Sequence, residues 1–365
     1  MDLTASPAEN YSADTSRVYT EGNSLALDIP RAVIPVSGRK GADQMSEPQP
    51  PAAVPSALPT SYQPSKLPPL VILNPAGGRG RALRLRPMIE QALTGGHGEL
   101  VLTNGPRAAE KLAYEAAEAG RDVVAVGGDG TVAEVGNGIL SSSRRVALGI
   151  VPCGNGNDYA YETLKLSKDP AVALETALSG LTSAIDVGRV NERYFLNSLG
   201  VGIDANIAAA AEELKGKPLM SGQMLYWGAS LREILFHYHK CPELVVSFDD
   251  TPGESRLFAL AAVSIGPTYG GGFYINPEAD PCDGFFDVCT IWKPSRARAL
   301  RLLPMIEKGR HQGQPEVTFR RAQTIALKAT KPIYAHLDGE VITAPAFLAK
   351  IVPGALLVRR QPAGG

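Results

Sequence analysis

The stretch VVAVGGDGTVAEVGNGIL, Val123 to Leu140, limits what this chain can fold into more than any other segment. An apolar, strand-like run ends at Val126, Gly127, Gly128 and Gly130 follow, and a helical pattern starts at or near Thr131. Glycines spaced this closely let main-chain N–H groups close on an anion at a helix N-terminus, where the helix dipole also favours negative charge. The pattern therefore predicts a phosphate-binding loop. Neither a GxxxxGK[ST] loop nor a GxGxxG turn after a strand occurs, which sets aside two common nucleotide loops. Asp129 is the unusual member. A carboxylate beside bound phosphates repels them unless a cation lies between, which makes Asp129 a candidate contact for nucleotide-bound Mg²⁺. The alternative is that Asp129 only caps the next helix.

A second glycine turn lies in LGIVPCGNGNDYAYETL, where Gly154, Asn155, Gly156, Asn157 and Asp158 again separate an apolar strand from a helical stretch. In a parallel sheet both turns fall at the same edge and make one site. Asn74 and Pro75, with Gly77 and Gly78, end the first strand as a third edge loop, and Thr103 ends the second.

Strand and helix alternate around these loops from Leu70 through LVILNP, RALRLRPMIEQAL, ELVLT, PRAAEKLAYEAAEAG and the two glycine segments, ending at NDYAYETL. This is the cadence of a helix-covered parallel sheet. After about Ile185 the texture becomes a series of strands: YFLNSLGVG, ELVVSFDD, RLFALAAVSIG, FFDVCTIW, TIALKA, IYAHLDGE and AFLAKIV. The fold class expected is an α/β N-terminal domain with a parallel sheet followed by a β-sandwich-like domain. The nucleotide-binding domain is expected over residues 67–184 and the β-rich acceptor domain over 185–350, with 351–361 returning to the first. One helical insert, QMLYWGASLREILFHYHK, carries Met224, Trp227, Leu231, Ile234, Leu235 and Tyr238 at spacings of three and four, read as a core-facing stripe. Residues 1–66 are rich in Pro, Ser, Ala and Gln and read as a disordered tail.

A chain of 365 residues is long enough for two domains. With 36 Lys plus Arg against 37 Asp plus Glu, the net charge of -1 argues against nucleic acid as a partner. Cys153, Cys241, Cys282 and Cys289 form no CxxC pair and read as reduced cysteines of a cytoplasmic protein. The longest apolar run, LFALAAVSIG, is about half of the ~20 residues a membrane span needs, and no secretory leader is visible.

Four elements in order, NPAGGRG, VGGDGTVAEVGNGIL, GIVPCGNGNDYA and NPEADPCDGFFDV, resemble the diacylglycerol kinase catalytic-domain family, in particular its soluble bacterial lipid kinases. The resemblance runs from about Leu70 to Arg360. The first glycine element is shared with NAD kinases and phosphofructokinases, whereas the ordered set is specific to lipid kinases. The resemblance implies an ATP-dependent transfer of the γ-phosphoryl group to a lipid hydroxyl, with diacylglycerol giving phosphatidic acid as the first expectation. It also implies that Gly127, Gly128, Asp129, Gly130, Thr131, Val132 and Ala133 bind the ATP phosphates, helped by Asn74, Pro75, Thr103, Asn155, Asn157 and Asp158. Asn155 departs from the Thr or Ser usual at its position.

A structural Mg²⁺ is implied on the side chain of Asp283 with the carbonyls of Asp280 and Phe285; without the resemblance, Asp283-Gly284 reads as a plain β-turn. AHLDGEVI supplies Asp338 as proton acceptor with Glu340 beside it; on its own such an Asp-Gly reads as a hairpin. The acceptor is expected at the cytoplasmic membrane surface, contacted by GGGFYINPEAD and by the helix around Trp227 flanked by Lys215, Lys217, His237, His239 and Lys240. A homodimer stays open. So do a sphingoid, ceramide or polyisoprenoid acceptor, a soluble-substrate kinase of the NAD kinase type, and a catalytically silent nucleotide- or lipid-binding protein.

Overall fold

The computed structural model describes residues 62, 65–203, 205–208 and 223–361. The tail up to residue 61 and the lysines Lys215 and Lys217 lie outside the described residues. The first lobe is built on β1 (Leu70–Leu73), β2 (Glu99–Leu102), β3 (Val123–Gly127) and β4 (Ala147–Pro152), all parallel and ordered β2-β1-β3-β4. The strands β1, β3 and β4 are buried along their whole length, which is why they read as unbroken apolar runs. Leu70 and Ile72 enter one core with the helices Ala108–Glu118 and Asp129–Leu140, while Val71 and Leu73 enter another with Ile89 and Leu174 from the helices on the opposite face.

The second lobe comprises β5 (Leu181–Val190), β6 (Arg193–Phe195), β7 (Ser198–Gly202), β8 (Glu243–Phe248), β9 (Glu254–Ser264), β10 (Phe286–Trp292), β11 (Val317–Ala322), β12 (Thr324–Leu337) and β13 (Glu340–Arg360). Antiparallel pairing runs β11-β10-β9-β7-β12-β13, and β8 pairs with both β9 and β12. The interior is held by side chains such as Phe195, Phe286 and Phe347, with the Phe195 and Phe286 rings stacked at 5.6 Å.

The long strand β13 belongs to both lobes. It pairs antiparallel with β12 and β5, and near its end Leu357 and Val358 pair in parallel with Ala147 and Leu148 of β4. Arg359 then meets Asp122 at 2.7 Å in a largely buried ion pair, and the other Asp122 oxygen accepts the N–H of Ala147 at 2.8 Å.

Local departures have local causes. The segment read as one helix from Arg81 is two, Arg81–Arg84 and Arg86–Ala92, because Pro87 has no N–H to continue the ladder and suits a first helical turn. NDYAYETL forms only a π turn, Tyr159–Thr163. YFLNSLGVG splits into β6 and β7 with a corner at Leu196 and Asn197, whereas TIALKA and IYAHLDGE join as the single strand β12 with an irregularity between Lys328 and Ile333. The core stripe expected on the helical insert is half wrong. Ile234 and Tyr238 are buried, but Met224, Leu231 and Leu235 are exposed, and the inner face is completed by Leu225 and Ala229. The helix Gln223–Arg232 passes into a π-helical turn, Glu233–His237, which shifts the side-chain period away from 3.6 residues.

If β13 is a core strand of the first lobe, Leu356→Ala should destabilise the protein by about 2–5 kcal/mol, since Leu356 is fully buried among that lobe's side chains. Denaturant unfolding measures this, and a loss below about 1 kcal/mol would contradict the packing.

Candidate active site

The glycine loops meet main chain to main chain. A Cβ on Gly154 would lie 2.5 Å from the Cα of Gly128, so neither loop tolerates a side chain at the contact. Gly128 is the N-cap of the helix Asp129–Leu140 and makes no side-chain cap bond, so Asp129 occupies the first helical position and is not the cap. Its Oδ2 instead accepts the N–H of Asn157 at 2.7 Å, drawing the second loop onto the first. Asn74 donates from Nδ2 to Thr131 Oγ1 at 2.9 Å and accepts the N–H of Ala76, while the N–H of Thr103 donates to the carbonyl of Leu73. Pro75 sits half-buried in the turn between them. Gly130 is exposed with open space around it, so the first turn of the helix is reachable from solvent.

Two residues expected to touch nucleotide are engaged within the protein. Asn157 adopts φ 60° and spends its amide on Gly154, accepting its N–H at 2.8 Å and donating to its carbonyl at 3.0 Å. Asn155 accepts from Arg81 Nη2 at 2.9 Å, and the same nitrogen donates to the carbonyl of Gly154 at 2.5 Å. Arg81 therefore clamps two glycine loops and brings a cation to their edge. It went unnoticed in the sequence, although an arginine directly after NPAGGRG was a usable signal.

Asp158 is buried and turns toward the second lobe, where its Oδ2 accepts the N–H of Gly271 at 2.7 Å. Burial first, and then the neighbouring Asp129 carboxylate, push its pKa up to about 7 against the pull of the Gly271 N–H. Glu162 makes a parallel link by accepting from the Tyr274 hydroxyl at 2.8 Å. Asn197 joins further segments, accepting from Thr163 Oγ1 at 2.8 Å and donating to the carbonyl of Thr268 at 2.7 Å.

Asp338 and Gly339 form the two-residue turn between β12 and β13, with φ of 48° and 91°, the left-handed pair that Asp-Gly suits. The hairpin tip carries chemistry as well as geometry. Asp338 Oδ1 accepts the N–H groups of Asn197 and Ser198, each at 2.9 Å, and Oδ2 accepts that of Leu196 at 2.6 Å. Burial holds its carboxyl above the usual carboxylate range, opposed by those three N–H groups and by His336. Glu340 does not share this setting; it is exposed and paired with Arg193 at 2.9 Å, because the strand pleat sends its side chain away from the cavity.

Asp129 and Asp338 line one cavity, together with Val132, Ala133, Asp158, Tyr159, Asn197, Ser198 and His336. Tyr226, Tyr269 and Gly270 line it as well, and the same three residues line a second cavity, walled mainly by aliphatic side chains such as Ile203, Ile234, Leu260, Leu302 and Ile306. Phe273 and Ile275 of GGGFYINPEAD are buried in that wall rather than offered to solvent. No local motif pointed to the tyrosines or to His336, since they meet only through tertiary contacts.

The turn 280–285 does not fit the cation expected there. Asp283 Oδ1 accepts the N–H of Phe285 at 3.0 Å, and its Oδ2 is taken by the guanidinium of Arg321. Asp280 Oδ1 accepts the N–H of Cys282 at 2.9 Å, and Asp186 binds the N–H groups of Gly284 and Gly354, each at 2.7 Å. The side-chain ligand is thus spent on protein donors, with Arg321 already supplying positive charge. Among the described residues no group of three or more His, Cys, Asp or Glu is arranged to hold a metal.

Residues 68–190 match the Diacylglycerol kinase catalytic domain, and residues 197–360 match the YegS C-terminal NAD kinase beta sandwich-like domain. A diacylglycerol kinase of Mycobacterium tuberculosis is 32% identical over 252 residues, covering 66% of this chain and 80% of the relative. One from Bacillus subtilis is 28% identical over 221 residues, covering 60% and 70% respectively. A crystal structure of a diacylglycerol kinase from Bacillus anthracis superposes with a TM-score of 0.63 at 20% identity, covering 82% of this chain and 99% of that one. A second structure from the same organism gives 0.68 at 22% identity with the same coverage. Fold and sequence together make the chain a member of the diacylglycerol kinase family. It is a lipid kinase.

Two outcomes follow from the site's electrostatics. Because the Asp158 pKa is raised, the folded protein holds this proton longer than the unfolded chain, so its contribution lowers stability as pH rises from about 4 to about 7 and is flat above. Asp158→Asn should remove that slope in a series of thermal melts, and an unchanged slope would refute the assignment. At the 280–285 turn, EDTA should shift the wild-type melting temperature less than Arg321→Ala does, the latter by a few degrees at most for an exposed pair. A rise of several degrees when Mg²⁺ is added to wild-type protein would show that a cation displaces the guanidinium.

Proposed function

We propose that the chain transfers the γ-phosphoryl group of MgATP to the free hydroxyl of diacylglycerol, giving phosphatidic acid at a membrane surface. The observation that carries this reading is that Asp129 and Asp338 line one cavity that adjoins an apolar one. The glycine loops and the opening turn of the helix Asp129–Leu140 take the phosphates, with Arg81 at their edge as a fixed cation. The Mg²⁺ that accompanies the nucleotide offsets the negative charge of Asp129, Asp158 and the phosphates.

Asp338 accepts the proton of the acceptor hydroxyl. That oxygen bonds to the γ-phosphorus as the bond between the γ-phosphorus and the bridging oxygen breaks, and ADP leaves with the electron pair. A carboxyl held above its usual range by burial, yet fixed by three N–H groups, is a stronger base than a solvated carboxylate and is oriented to take a proton. The hydrocarbon of the acceptor lies in the adjoining cavity, whose wall is mainly aliphatic, with Ser230 and tyrosines as its few polar groups.

Purified protein with labelled ATP and diacylglycerol in mixed micelles should yield labelled phosphatidic acid. Asp338→Asn should lower kcat by about 10²-fold or more while ATP affinity changes little. The amide oxygen of Asn can still accept from Asn197 and Ser198, but its NH2 would face the Leu196 N–H, so retained ATP affinity beside a cooperative thermal transition would separate chemistry from folding. Near-normal turnover in that variant would remove Asp338 from the mechanism.

A further inference from the structure

Two helical elements wall the apolar cavity, and their outward sides have a composition that soluble surfaces seldom carry. From the helix Gln223–Arg232 and its π-helical extension Glu233–His237, Tyr226, Ser230 and Ile234 line the cavity. The outward side chains are Met224, Leu231, Leu235 and Phe236, exposed by 65%, 39%, 46% and 67%. Four large apolar groups are thus exposed within about four turns of one element, an apolar content that marks a contact site.

The second element, the helix Arg296–Glu307, sends Ala299, Leu302, Leu303 and Ile306 into the same cavity. It packs against the π-helical extension of the first. Its outward residues include Arg296 and Arg301, followed by Lys308 and Arg310, all exposed. Each element carries one acid: buried Glu233 meets His237 at 3.0 Å, and Glu307, which accepts from Gln223 at 2.8 Å and Trp227 at 3.1 Å, is outnumbered by the exposed cations. The outward charge of this wall is therefore positive beside an apolar stripe.

We infer that this wall docks on an anionic lipid bilayer, with Met224, Leu231, Leu235 and Phe236 inserted below the headgroups and Arg296 and Arg301 among them. Charge complementarity selects the bilayer as occupant, since an apolar stripe flanked by cations matches the boundary between acyl chains and anionic headgroups. Continuity with the cavity supports the same occupant: the residues that would enter the bilayer stand on the outer side of the elements whose inner side receives hydrocarbon. The acceptor would then pass from bilayer to cavity along this wall without its chain crossing water. The inference rests on the lipid acceptor proposed above and adds where the acceptor enters.

The test uses the full chain and two surface variants, Leu235→Glu/Phe236→Glu and Arg296→Glu/Arg301→Glu, none of whose side chains lines either cavity. Co-sedimentation with phosphatidylcholine vesicles containing increasing phosphatidylglycerol is measured beside turnover of a short-chain, water-soluble diacylglycerol and of a long-chain one carried in the vesicles. Wild type should bind more tightly as the anionic fraction rises. Each variant should lose at least about tenfold in vesicle affinity and in long-chain turnover while keeping the short-chain rate, which also shows that the variant is folded. Vesicle binding by both variants equal to that of wild type would overturn the docking surface. Failure of wild type to phosphorylate either diacylglycerol would instead overturn the proposed acceptor, and the vesicle arm would still decide the docking surface.

Discussion

Three successive main-chain N–H groups, those of Leu196, Asn197 and Ser198, converge on the carboxylate of Asp338. Together they tie the tip of the β12–β13 hairpin to the corner between β6 and β7. Buried main-chain donors need partners, and a carboxylate that serves three of them is held by charge-assisted bonds in a fixed orientation. Asn197 extends the knot to Thr163 and to the carbonyl of Thr268, so the segment after the second glycine turn and the loop before Gly270 share one anchor. The cavity is the space left among these anchored pieces.

The first lobe reaches that knot by different physics. Its strands are buried on both faces and end together at one edge, where glycines allow loops to touch through their main chains. Asp129 and Arg81 add polar cross-links between loops whose backbones are already in contact. Asp158 then spans to Gly271, and the raised pKa of that carboxyl reflects the cost of seating a second carboxylate near Asp129 in a buried place. The contact between the lobes and the charge of the site therefore share one side chain.

Much of this was legible beforehand because its causes are local. The runs at Leu70, Val123 and Ala147, and the glycine turns after them, sit where expected, since a parallel strand covered on both faces has no choice but to be apolar along its length. Failures occurred where a pattern met a competing geometry. Of the expected stripe, Ile234 and Tyr238 are buried, but Met224, Leu231 and Leu235 face outward across a π turn, and Leu225 and Ala229 complete the inner face. Asp283 resembled a cation ligand, but Arg321 arrives from β11, paired antiparallel with β10, and satisfies it. Glu340 follows Asp338 by two residues, yet it faces Arg193.

By itself the sequence determined the strand-turn-helix units, the glycine loops able to meet an anion, and the change from alternating to all-strand texture near residue 185. Each of these follows from residue preferences acting within a dozen positions. The tertiary structure decided which carboxylates share a cavity, which are neutralised by arginine, and which apolar side chains are left facing outward. Asp338 meets the N–H of Leu196 across 142 residues of chain, and no periodicity encodes such a meeting. It depends on how buried polar groups are satisfied once two lobes and a shared strand have packed.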